Sequence, residues 1–308
     1  MEISQKIILV RRVSRLTELI RQYNTLGQVK FMLESRGEDF LEYQQEHATY
    51  EEAIKEVSES LACMGRLQTI DRQFLPNFLF GRDDLVVVAG QDGLVANTLK
   101  YLDQQPVIGI NPDPYRYDGK LLPFSVGDTD SIVKLVLRGN HRMESITMGE
   151  AKLNDGQSLL AVNDFFIGPE RQTSALYELE YEGQRELQSS SGLIISTGMG
   201  ATGWFSSVLS GIAGLAGTDI ALRNLADSFD RSSRKLIFTV REPFQSQRTG
   251  TDIVKGIVTV GSTLKVQSKM PIGGVLFSDG MVDDAIPFNS GSQVEIGISQ
   301  KSAQLVVG

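Results

Sequence analysis

Five consecutive apolar residues, Leu85–Ala89, run directly into Gly90-Gln91-Asp92-Gly93-Leu94 and then into a helix-like stretch over residues 94–102. A strand that is apolar at every position must be covered on both faces, as the central strands of a parallel α/β sheet are. The turn that follows then lies at the strand's carboxyl end, where open α/β sheets bind their ligands. Gly90 and Gly93 let a ligand approach the backbone closely, and the first N–H groups of the helix are free to receive phosphate oxygens. Asp92 adds a carboxylate. Phosphate repels it unless it holds Mg²⁺ or takes a proton from an attacking hydroxyl, so its presence points to chemistry. The alternative is a strand-to-helix turn that uses the common pair Asp-Gly.

The hydrophobic period changes near residue 140. Before it, residues 7–10 read as a strand, and Tyr50, Ala53, Ile54, Val57, Leu61 and Met64 recur at helical spacing. After the strand over residues 85–89 and its helix, Val107-Ile108-Gly109-Ile110 reads as a further strand, closed by Asn111-Pro112-Asp113-Pro114. This β-α-β order predicts a parallel sheet. Later runs are short and separated by Gly, Asn, Asp and Ser, as at 158–166, 175–181, 235–240, 257–260 and 294–298. Tyr177, Leu179 and Tyr181 alternate with Glu178 and Glu180, the period of a half-buried antiparallel strand. The expected fold is an α/β N-terminal domain with a parallel sheet over residues 1–126. An all-β, antiparallel, sandwich-like domain follows over 127–308, and its last strands can return to the first domain.

Three later segments carry polar residues in special settings. Ser196-Thr197-Gly198-Met199-Gly200-Ala201-Thr202-Gly203-Trp204 follows the strand-like Leu193-Ile194-Ile195 and precedes a helix candidate over 206–216. Its glycines fit G-x-G-x-x-G, but the surroundings look antiparallel and Asp219 follows a helix, so a dinucleotide-binding βαβ unit is not indicated. A glycine loop there can hold a phosphate or ribose through Thr197 and Thr202, or it is a capped helix entry. In Ala161-Val162-Asn163-Asp164-Phe165-Phe166-Ile167 two polar side chains interrupt an apolar strand. Buried polar groups must be paired, so Asn163 and Asp164 either satisfy backbone groups in a turn or bulge, or contact a ligand. Phe277-Ser278-Asp279-Gly280-Met281-Val282 reads as a structural hairpin turn.

With 308 residues the chain is long enough for two domains. A net charge of -8 and the lack of any Lys/Arg cluster speak against a nucleic-acid partner. The apolar part of the N-terminal Lys6-Ile7-Ile8-Leu9-Val10-Arg11-Arg12 is too short for a signal peptide or a membrane span, so a cytoplasmic protein is expected. The single cysteine, Cys63, excludes an internal disulfide and is expected to be a buried helix residue. His47 and His141 have no ligand-type neighbours at metal spacing, so no protein-bound metal site is expected; both read as surface or helix-end residues. No G-x-S-x-G elbow occurs, which argues against serine acyl chemistry. Glu51, Glu52, Lys55, Glu56 and Glu59 read as a solvated helix face.

Taken in order, these segments resemble the NAD kinase family. Its pattern is a GGDGT loop, an Asn-Gly-Leu-Gly-Phe-like loop, an Asn-Glu pair, a Thr-Pro-Thr-Gly-Ser-Thr-Ala-Tyr loop and a late Asp-Gly turn. Here those places hold Gly90-Gln91-Asp92-Gly93-Leu94, Asn111 with Gly119-Lys120-Leu121-Leu122-Pro123-Phe124, Asn163-Asp164, residues 196–204 and Asp279-Gly280. The resemblance spans about residues 80–300 and implies two domains with a substrate cleft between them, and a homo-oligomer. It implies that Asp92 is the base or metal-organising carboxylate in transfer of the ATP γ-phosphoryl group to the adenosine 2'-hydroxyl of NAD, with Mg²⁺ accompanying ATP. By the same resemblance Gly90, Gln91, Gly93 and Leu94 form the phosphate loop, Asn163 and Asp164 hold the adenosine portion, and Thr197, Gly200 and Thr202 line its pocket. This chain departs from the pattern at Gln91, Leu94, Gly198, Met199 and Asp164, and Arg241-Glu242-Pro243 only loosely echoes the family's late Arg-Pro. The resemblance therefore leaves other hydroxyl acceptors, such as a sugar, nucleoside or lipid, and a non-catalytic nucleotide sensor open.

Overall fold

The computed structural model describes residues 5–217 and 229–308; Asp219 lies outside them. The chain forms two compact units, one made of the residues through Glu144 with Gln304–Gly308, the other of Ser145–Ala303.

The first unit opens with β1 (Lys6–Arg11), followed by helices α1 (Arg15–Tyr23), α2 (Leu26–Ser35) and α3 (Phe40–Ala62). β2 (Arg66–Asp71), β3 (Leu85–Ala89), α4 (Asp92–Leu99), β4 (Pro106–Asn111), the two-residue β5 (Phe124–Ser125) and α5 (Thr129–Leu137) complete it. The strands run β2-β1-β3-β4, parallel throughout, as the β-α-β order predicts. Every residue of β3 is buried; Leu85, Val87 and Ala89 share one core with Tyr50, Ile54, Val57 and Leu61 of α3 and Ile132, Val133 and Val136 of α5, while Val86 and Val88 point to the other face. Chain order reverses between β1 and β3, and such a reversal is where open α/β sheets place ligands, at the strands' carboxyl ends. The turn after β3 sits at that reversal.

The second unit holds β6 (Arg142–Leu153, whose first three residues belong to the first unit), β7 (Ser158–Ala161), β8 (Asp164–Pro169), β9 (Ala175–Tyr181), β10 (Gln184–Ser190) and β11 (Gly192–Ser196). After α6 (Trp204–Ala216) come β12 (Lys235–Arg241), β13 (Lys255–Thr259), β14 (Leu264–Ser268), β15 (Gly274–Ser278), β16 (Met281–Pro287) and β17 (Gln293–Val307). One antiparallel set runs β10-β9-β14-β17; the other runs β13-β12-β11-β8-β15-β16. Tyr177, Leu179, Val266 and Ile296 from the first and Phe165, Ile167, Leu193 and Phe238 from the second meet in one core, so the unit is a sandwich.

Several expectations change in detail. The first unit extends past residue 126, because α5 packs on its sheet, and Gln304 and Leu305 of β17 return to pair in parallel with Pro106 and Val107. The run over 158–166 is two strands, broken at Val162 and Asn163. Cys63 is exposed and not buried, since it follows the last residue of α3 and has left its apolar face. The acidic face of α3 is solvated as expected. His47 is half-buried within α3, its Nδ1 2.8 Å from Ser14 Oγ.

Candidate functional site

In the first unit Asp92 is the first residue of α4, and its Oδ1 accepts the backbone N–H of Leu121 at 2.6 Å. That contact is possible because residues 121–122 lie directly on β4. A Cβ on Gly109 would sit 2.1 Å from the Leu121 carbonyl oxygen. Asn111, at the end of β4, shapes the intervening loop: its Nδ2 donates to the Tyr117 carbonyl at 3.0 Å and its Oδ1 accepts from Asp113 N–H at 3.1 Å. Gly119 turns the chain with φ 63°, and a Cβ there would strike the Asn111 amide. The Tyr50 hydroxyl braces the neighbouring strand ends, donating to the Ala89 carbonyl at 3.1 Å and accepting from Arg12 N–H at 2.9 Å.

Around Asp92, Gln91 opens the helix without a side-chain cap, so the N–H groups of Asp92 and Gly93 receive no side-chain acceptor from that residue, while Leu94 N–H donates to the Gln91 carbonyl at 2.9 Å. Gly93 is exposed, with open space where a side chain would stand. Leu94 is buried, and its Cδ2 would lie 2.7 Å from a Cβ on Gly90. Of the loop residues read from the sequence, Gly90, Gln91, Asp92 and Gly93 form the turn, while the Leu94 side chain packs inward.

In the second unit three loops meet. Asp279 is the hub: its Oδ2 accepts Val162 N–H at 2.9 Å and its Oδ1 accepts Asn163 N–H at 2.6 Å and Asp164 N–H at 3.2 Å. Its own N–H returns to the Asp164 carbonyl at 3.0 Å. Asp279 and Gly280, at φ 53° and 64°, form a two-residue hairpin turn between β15 and β16. Positive φ at both positions matches the twist of such hairpins. The expected turn is present, and its carboxylate has a second task that no local pattern announced.

The loop after β11 packs backbone to backbone on the same strand break. Thr197 is fully buried; its N–H donates to the Asn163 carbonyl at 2.9 Å and its hydroxyl donates to the Val162 carbonyl. The same hydroxyl accepts from Met199 N–H at 3.1 Å and Gly200 N–H at 3.3 Å, so Thr197 braces the loop and has no proton left for a ligand. Gly200 is required here, because a Cβ would lie 2.1 Å from the Asn163 carbonyl oxygen. Thr202 is exposed on the short 3₁₀ turn that leads into α6, and Asn163 is half-buried. β11 pairs antiparallel with both β8 and β12, so the glycine loop does not belong to a βαβ unit.

Asp164 is 7% exposed, and its carboxyl is pushed up to about 7, first by burial and second by the Asp279 carboxylate. A buried carboxyl that keeps its proton can donate a hydrogen bond as well as accept one. Among the described residues no group of three His, Cys, Asp or Glu could hold a metal ion. Asp92 has one oxygen engaged by Leu121, which leaves the other able either to take a proton or to hold a cation.

An α/β unit whose chain order reverses between two central parallel strands and a β-sandwich with a buried polar hub define a two-unit fold, and solved structures share it. The NAD kinase of Archaeoglobus fulgidus in complex with ATP has 17% identity and a TM-score of 0.57, matching 98% of this chain and 94% of that one. Yeast NADH kinase complexed with NADH has 15% identity and a TM-score of 0.59, matching 100% of this chain and 84% of that one. No family model and no curated protein matches the sequence. The fold is NAD kinase-like.

Proposed function

We propose that this protein is an ATP-dependent kinase of the NAD kinase type, phosphorylating the 2'-hydroxyl of the adenosine ribose of NAD. The observation that carries the reading is Asp92, fixed by Leu121 N–H at a helix start and at the carboxyl end of a central parallel strand. Anion-binding N–H groups and a positioned carboxylate are the two things phosphoryl transfer asks of a protein. In the step proposed, Asp92 takes the proton of the ribose hydroxyl as its oxygen bonds to the γ-phosphorus. The bond from that phosphorus to the β,γ-bridging oxygen breaks, and ADP leaves with the electron pair. Mg²⁺ bound to the ATP phosphates would supply neutralisation of their charge. Asn163 and Asp164 would hold adenosine, with the protonated Asp164 carboxyl as donor, while Gly200 and Thr202 would line the pocket beside them. The protein is proposed to be cytoplasmic and homo-oligomeric.

A second reading is a nucleotide sensor without turnover. Leu94 favours it, since a buried leucine stands where the family has a threonine hydroxyl. The two separate on one experiment: NADP formation from ATP, Mg²⁺ and NAD beside calorimetric titration with the same nucleotides. Turnover establishes the kinase, whereas binding without turnover establishes the sensor.

A further inference from the structure

β8 begins at Asp164 and ends at Pro169, and beyond its far end opens a cleft of about 730 Å³ lined only by residues of the second unit. That volume falls within the range of roughly 300–1,000 Å³ typical of small-molecule sites. Its aromatic floor is built without freedom. The Phe166 ring lies over two glycines, and a Cβ on Gly168 or Gly192 would come within 2.4 or 2.8 Å of it. Gly192 also holds φ 114°, which a side chain would strain. Trp204 stacks on Phe166 with centroids 5.4 Å apart, and the Arg241 guanidinium lies 5.6 Å over Trp204.

The stack fixes the flat face of Arg241 and leaves its edge, where the N–H donors are, available. Among the described residues neither Arg241 nor Arg171, which lines the same cleft, has a carboxylate at ion-pair distance or a side-chain hydrogen bond. Two guanidinium groups without counter-ions in one cleft suit a dianionic phosphate, which takes paired N–H donors from each. The cleft also carries acceptors: the carboxylates of Glu170 and Glu242, the latter receiving the Ser191 hydroxyl. Carboxylates beside a phosphate site suit the hydroxyl groups of a sugar.

We propose that this cleft binds a sugar phosphate, its phosphate on Arg171 and Arg241, its hydroxyls on Glu170 and Glu242, and its ring over Phe166. The cleft follows β8 from Phe166 to Pro169, whereas Asp164 opens the strand, so at the rise of a strand the two are separated by about 7 Å at Phe166 and about 17 Å at Pro169, and neither Asp164 nor Asp279 lines the cleft. It does not depend on the kinase reading.

Trp204 is the single tryptophan and packs against Phe166 and Arg241, which line the cleft, so its fluorescence reports the cleft through them. The full chain is titrated with ribose 5-phosphate, with ribose as the unphosphorylated control, and calorimetry runs in parallel because Arg241 itself sets the tryptophan's surroundings. The expected result is a saturable change with ribose 5-phosphate and none with ribose. Affinity should fall by about tenfold or more in Arg171→Ala and in Arg241→Leu, while Asp92→Asn, in the other unit, binds as wild type does. No saturable binding, unchanged affinity in Arg171→Ala, or loss of the signal in Asp92→Asn would each overturn the proposal. None of these readouts requires phosphoryl transfer, so failure here is separable from failure of the kinase reading.

Discussion

The turn at Gly90 and the three-loop assembly around Asp279 solve the same problem, holding polar groups still, in opposite ways. The first is local: one strand, one helix start and a single hydrogen bond from Leu121 fix Asp92. The second is built by long-range contact, since Asp279 reaches Val162, Asn163 and Asp164 across more than a hundred residues of chain. A local device leaves open space beside Gly93 for a ligand. A non-local one spends its glycines on packing, so stability and geometry are bound together there.

The largest contrast is between two glycines. Gly200→Ala forces a Cβ against the Asn163 backbone and should cost about 3 kcal/mol or more in denaturant unfolding, because backbone cannot step aside as a side-chain end can. Gly93→Ala meets open space within a helix and should change stability by no more than about 1 kcal/mol, in the stabilising direction, while hindering nucleotide approach. Equal costs at the two sites would break the comparison.

Next in size is Asp279→Ala, which strands three backbone N–H groups and should destabilise by about 2–4 kcal/mol, measured by urea unfolding. Asp279→Asn keeps one acceptor oxygen and should lose less.

A smaller effect is the pH dependence of Asp164. Its carboxyl rises from an ordinary 3.8 to about 7 in the fold, so the folded state binds the proton that the unfolded chain releases. Stability from this group is full below 3.8 and is lost as pH rises through about 7. Unfolding curves across that window should show the decline in wild type and a flatter profile in Asp164→Asn. An identical slope in both would place the carboxyl's titration elsewhere.

How much of this was legible in sequence follows the same division. β1, β3 and β4 announce themselves because strands covered on both faces are unbroken apolar runs, and the Asp92 turn is read from its place after one of them. β2, Arg66-Leu67-Gln68-Thr69-Ile70-Asp71, gave no such signal, since an edge strand is held by its backbone pairing with β1 and fully buries only Ile70. Asn163 and Asp164 were visible as polar breaks in an apolar run, and the break is real. What completes it was hidden: nothing near Asp279 distinguishes a turn aspartate facing water from one accepting three N–H groups. The buried hydroxyl of Thr197 was equally illegible, because a threonine beside glycines looks like a ligand donor until its partners are known. Cys63 lies only two residues beyond Leu61, the last buried residue of α3, but that is about 200° of helix rotation, which takes it off the apolar face.

The most direct test of the central claim is the rate of NADP formation from ATP, Mg²⁺ and NAD in wild type beside Asp92→Asn. The account predicts turnover in wild type and a loss of about 10²–10⁴ in the variant, with nucleotide binding retained. Equal rates in the two proteins, or nucleotide binding without any NADP from wild type, would contradict it.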